Sequence, residues 1–88
     1  MITKEYLILA PEGMHARPAT AMVKLGKQFQ ATIQLRKGVK LVKLNSLLNI
    51  LSLGIKGGEA VVLEFEGAEE VAAAGAFDVF FANNLKDW

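Results

Sequence analysis

Thr32-Ile33-Gln34-Leu35-Arg36-Lys37-Gly38-Val39-Lys40-Leu41-Val42-Lys43-Leu44 is the stretch that decides the fold. Over Thr32 to Arg36 polar and apolar side chains alternate, the two-residue period of a strand with one buried face. Lys37-Gly38 then predicts a tight turn, and Lys40 to Leu44 returns with a weaker alternation, so residues 32–44 read as one hairpin. Further along, Leu63-Glu64-Phe65-Glu66 alternates in the same way after Val61 and Val62. Upstream, Ile2 to Leu9 is strand-like and is ended by Ala10-Pro11-Glu12-Gly13. Four strands are expected.

Between and after them lie three helical segments. The first runs from about Ala16 to Lys27, with Ala19, Met22, Val23 and Gly26 on one face at helical spacing. Pro18 falls in its first turn, where a missing N–H removes no helical hydrogen bond. The second is short and begins after Ser46, a good N-cap residue. It carries Leu47, Leu48, Ile50, Leu51 and Leu53, with Gly54 as its end. The third starts near Glu69 and Glu70, whose charges suit a helix N-terminus, and continues to Asn83-Asn84. Gly75 weakens it by roughly 1 kcal/mol relative to Ala. The order β-α-β-β-α-β-α implies an α+β domain: a four-stranded antiparallel sheet with three helices on one face.

Composition narrows the chemistry. A chain of 88 residues is expected to form a single domain over residues 1–88. Cysteine is absent, which excludes disulfides, thiolate metal sites and cysteine nucleophiles. With one histidine, a multi-histidine metal site is excluded too, and no cofactor is expected. Ten basic residues against nine acidic ones leave no dominant positive field, so nucleic acid is not an expected partner. An RNA-binding sheet would also need exposed aromatics, and the predicted strands hold only Tyr6 and Phe65. No apolar run approaches the ~18 residues of a membrane span. The first ten residues read as a strand rather than a signal peptide, so a cytoplasmic protein that does not insert into membranes is expected.

The chemistry concentrates in Gly13-Met14-His15-Ala16-Arg17-Pro18-Ala19. His15 is placed at or just before the N-cap of the first helix. There the unpaired amides of Ala16 and Arg17 and the positive end of the helix dipole make an anion site suited to phosphate. Arg17 adds a permanently charged fork that fits phosphate oxygens. The same field disfavours imidazolium and leaves a ring nitrogen free as a nucleophile. Taken singly, each residue has a plainer reading: a capping or surface histidine, a solvated arginine, a proline that starts a helix.

This motif resembles the active-site signature of the HPr family, the small phosphocarriers of the bacterial sugar phosphotransferase system. Asn45-Ser46-Leu47-Leu48-Asn49-Ile50-Leu51-Ser52-Leu53-Gly54 is similar to the family's regulatory serine site and the helix after it. The spacing of the two motifs agrees, and the similarity spans essentially the whole chain. The resemblance implies an open-faced β-sandwich and a carrier rather than an enzyme. It implies that His15 accepts a phosphoryl group through Nδ1 from phosphorylated enzyme I and gives it to enzyme IIA of a sugar permease. Arg17 would be its electrostatic partner. Ser46 would be the site of a dedicated HPr kinase/phosphorylase, with a carbon-catabolite transcription regulator as a further partner. The plainer role of Ser46 is a simple N-cap.

Leu47, Leu48 and Leu51 cannot all face the sheet if Ile50 and Leu53 do, so some of them are expected in an exposed docking patch. Thr20, Lys24 and Lys27 share the outer face of the first helix and, with Arg17, would give that patch a positive rim. Ordinary core leucines and a solvated helix face are the alternative. A monomer is expected. Three positions depart from the family pattern: Glu12 replaces a small polar residue, Asn45 a frequent lysine, and Asn49 a frequent glycine or lysine. The competing reading is a regulatory relative of the same fold, acting in a nitrogen-related branch or on a transcription factor.

Overall fold

The computed structural model describes residues 1–83. Four strands and three helices follow one another as β1 (Ile2–Leu7), α1 (Ala16–Gly26), β2 (Thr32–Lys37), β3 (Lys40–Lys43), α2 (Leu47–Leu51), β4 (Ala60–Glu66) and α3 (Glu70–Asn83). The expected order is therefore the observed one. The boundaries differ in small ways: β1 stops two residues before Leu9, and α2 ends before Leu53. After Leu51 the chain closes two further turns, Leu53 N–H donating to the Ile50 carbonyl and Gly54 N–H to that of Leu51. Gly54 then takes a positive φ of 60°, which turns the chain out of helical geometry. Asn84, expected in the last helix, lies outside the described residues.

The sheet has the order β1-β4-β2-β3 with every neighbouring pair antiparallel. Ile2 lies opposite Phe65 in the β1/β4 pair, and Phe65 opposite Ile33 in the β4/β2 pair. The β2–β3 turn is Gly38-Val39, with Gly38 at a φ of 60°. A two-residue hairpin turn favours a residue of positive φ at that first position.

Alternation in the strands becomes a two-sided sheet. Ile33, Leu35, Val61, Leu63 and Phe65 are buried, whereas Gln34, Arg36, Val62 and Glu64 between them are only half-buried. Onto the buried face the helices lay Ala19, Met22 and Val23 from α1, Ile50 from α2, and Ala73, Ala74, Phe77, Phe80 and Phe81 from α3. Phe77 packs between Phe65 and Phe80, at ring separations of 5.6 and 6.3 Å. This burial is the main source of stability in so small a chain. Among the described residues no helix is long and apolar enough to cross a membrane.

Tyr6 shows how the β1 edge is closed. Its ring stacks on Phe81 at 4.1 Å, and its hydroxyl donates to Asp78 Oδ1 at 2.6 Å. Burial, with that carboxylate second, holds the phenol well above its usual range. Phe65 is wholly buried. Neither strand aromatic is free to stack on a nucleic-acid base.

Candidate phosphoacceptor site

The loop from Ala10 to His15 is held backbone to backbone against the segment before β4. Met14 N–H donates to the Ile55 carbonyl at 3.0 Å, and Gly58 N–H to the Ile8 carbonyl at 2.8 Å. Two glycines make this approach possible. A Cβ on Gly13 would stand 2.3 Å from the Ile55 oxygen, and one on Gly57 2.6 Å from the Ala10 oxygen. Gly13 also needs its positive φ of 73° to turn the chain toward α1. With Met14 buried beneath it, His15 is presented from a fixed base.

His15 is the N-cap of α1, in extended backbone geometry with φ −97° and ψ −174°. Its carbonyl accepts the first helical bond, from Ala19 N–H at 3.1 Å, but its side chain makes no capping hydrogen bond. The plain capping role is thus unfilled by the imidazole. About a third of the side chain is open, at 31% exposure. Nε2 is buried and has no hydrogen-bond partner among the described residues. Glu12 Oε2 lies 3.8 Å from Nε2.

Ala16 and Arg17 are the first two residues of α1, and Pro18 is the third. Their place gives His15 the amide-rich, positive end of the helix as its neighbour. Both Ala16 and Arg17 are exposed, while Pro18 is buried. Further along α1, Thr20 turns its hydroxyl back onto the Ala16 carbonyl at 2.7 Å. Lys24 borders an apolar groove between α1 and α3 that Leu25, Val79 and Phe80 also line. Lys27, just past the helix end, borders a different groove with Phe29, Lys43 and Leu44. The four polar residues expected to rim one patch are therefore spread along the helix.

The leucines of α2 divide. Ile50 is buried within the helix and Leu53 just beyond it; Leu47 and Leu51 are half-buried and pack against the core. Leu48 alone of the three docking candidates stands out, at 77% exposure. Ser46 is the N-cap of α2 and accepts from Asn49 N–H at 3.4 Å. Asn49 in turn donates through Nδ2 to the Lys43 carbonyl, which gives it a local structural task.

The sequence model described as the PTS HPr component phosphorylation site matches residues 2–83. The chain belongs to the PTS HPr family. Solved HPr structures carry the same fold. HPr-C-His from Thermoanaerobacter tengcongensis is 33% identical, with a TM-score of 0.88 over 93% of this chain and 92% of that one. The phosphocarrier protein HPr of Bacillus anthracis is 29% identical, with a TM-score of 0.83 over 91% and 95%. A mycoplasma histidine-containing phosphocarrier protein is 25% identical, with a TM-score of 0.87 over 96% and 97%. The family resemblance and the open-faced fold it implied both hold.

Sequence reasoning missed the part played by Gly57 and Ile55. Gly57-Gly58 was the available signal, a doublet that marks a turn or a close backbone approach.

Proposed function

We propose that this HPr-family protein is a phosphocarrier that accepts a phosphoryl group on His15 Nδ1 from phosphorylated enzyme I and passes it to enzyme IIA of sugar permeases. The observation that carries the proposal is an imidazole at the N-cap of α1 whose side chain is partly open and does no capping. A helix start favours a dianionic product there, through oriented amides and the dipole. Arg17, the second residue of the helix, adds charge suited to phosphate oxygens. The protein provides the acceptor and its electrostatic setting, and its partners provide the catalysis. It acts as one cytoplasmic domain over residues 1–88 and as a monomer.

Ser46 is the proposed regulatory site for an HPr kinase/phosphorylase. Its hydroxyl makes only a long N-cap bond, so a phosphate could replace that bond while changing what docks on α2. A catabolite transcription regulator would be a reader of that state. Leu48 is the centre of the proposed docking surface, with Leu47 and Leu51 beside it on α2 and Thr20, Lys24 and Lys27 as its proposed outer rim along α1.

The test is incubation with enzyme I, phosphoenolpyruvate and magnesium, followed by intact mass. An acid-labile phosphoryl mass on the protein, absent from His15→Ala, is expected. Absence of label with a competent enzyme I would overturn the carrier reading in favour of a regulatory relative, which the nearby Glu12 carboxylate would then explain.

A further inference from the structure

Glu12 lies beside the proposed phosphoacceptor, His15. Its carboxylate is 3.8 Å from His15 Nε2, while its own side chain is 78% exposed. Nε2 is a buried polar atom with no hydrogen-bond partner among the described residues. Such an atom is costly unless something satisfies it, and the facing group here is an acceptor only. The remaining distance to a hydrogen bond is about 1 Å, within reach of rotation in an exposed glutamate.

We infer that Glu12 is a positioning residue for phosphoryl transfer: it holds the proton of His15 on Nε2 and so leaves the lone pair on Nδ1. The inference rests on the carrier reading above and deepens it. Which ring nitrogen carries the proton is set by the hydrogen bond that the other end of the ring makes. A carboxylate facing Nε2 selects the Nε2–H tautomer, whose Nδ1 is the nucleophile. In transfer, the Nδ1 lone pair forms the bond to phosphorus. The bond from phosphorus to the donor protein breaks, and its electron pair stays with the donor. Nε2 keeps its proton, and the ring takes up positive charge shared between its two nitrogens. Glu12 faces that developing charge directly. A phosphoryl group on Nδ1 would sit across the ring from Nε2 and so farther from the carboxylate, whose 78% exposure lets water screen the repulsion. Attraction to the ring therefore outweighs repulsion from the phosphate.

The two effects predict opposite signs, which makes the test sharp. Uniformly 15N-labelled wild type is mixed with unlabelled Glu12→Gln, limiting phosphoenolpyruvate and a trace of enzyme I, until the phosphoryl group has equilibrated. Intact mass then gives its partition between the two proteins. The wild type is expected to hold three- to tenfold more, with Glu12→Asp recovering part of the difference. An equal share, or a larger one on Glu12→Gln, would overturn the inference and make Glu12 a source of repulsion. In parallel, the 15N shifts of the His15 ring are recorded at about pH 8, above the ordinary histidine range. Wild type should show Nε2 protonated, and Glu12→Ala a mixture of tautomers; identical spectra would also overturn the inference. If even the wild type takes no phosphoryl group, the carrier reading has failed, and the ring spectra still decide the role of Glu12.

Discussion

At Gly13 a methyl group would meet the Ile55 oxygen at 2.3 Å, in a backbone already at a φ of 73°. Gly13→Ala should therefore lower stability by about 2–4 kcal/mol, combining left-handed strain with displacement of the neighbouring Ile55 to Gly57 backbone. Urea unfolding would measure it, and the surviving folded fraction should take label on His15 several-fold more slowly. The sequence marks Gly13 only as a flexible residue before a histidine. Its partner, Ile55, lies far along the chain, and no local pattern announces that contact. His15 and Arg17 were legible for the opposite reason: their meaning is set by the helix that begins beside them. The proximity of Glu12 was half legible, since a three-residue spacing permits contact with His15 without requiring it.

Among the elements, α2 depends most on its ends. Five residues cannot sustain a helix alone, because nucleation is unfavourable and few bonds follow it. The Ser46 hydroxyl holds its start through Asn49 N–H. At the other end Lys37 Nζ donates to the carbonyls of Leu53 and Gly54, at 3.3 and 3.0 Å. Ser46→Ala should cost about 0.5–1 kcal/mol, near the low end for N-caps because the bond is long. Thermal unfolding would detect the loss, and no loss would show that the hydroxyl is idle as a cap. Spacing alone predicted that Leu53 belonged to the helix. A run of turns continues the same apolar rhythm after the helix has ended, so periodicity could not separate the two. In β2 and β4 the two-residue period had no such competitor, and the burial pattern followed it residue by residue.

For the molecule as a whole, two carboxylates tie distant parts of the chain together. Glu59 accepts from Lys56 N–H at 2.6 Å and pairs with Lys37 at 3.1 Å. Glu70 accepts from Gly67 N–H and pairs with the Met1 amine at 3.1 Å. In each case the backbone donor, then the cation, holds the carboxyl below its ordinary value. A lowered folded value stabilises the fold above the unfolded value of about 4.3, and that contribution disappears as pH falls through the folded one. The melting temperature should hold level near neutrality and decline below about pH 4.5; in a Glu59→Gln, Glu70→Gln double variant the decline should be shallower. Equal slopes would mean that neither pair matters. The layered architecture was readable from element order, but the strand order was not. A two-residue period tells which face a side chain takes and says nothing about which strand lies alongside. That order has a consequence for the chain as it is made. Of the four described strands β1 leaves the ribosome before the others, yet its neighbour β4 is the last of the four to be translated, with Ile2 waiting for Phe65. At about 5–20 residues per second, the wait is several seconds. Until β4 emerges, β1 is thus a strand without its sheet neighbour, and the nascent chain is most exposed to mispairing just before β4 is made.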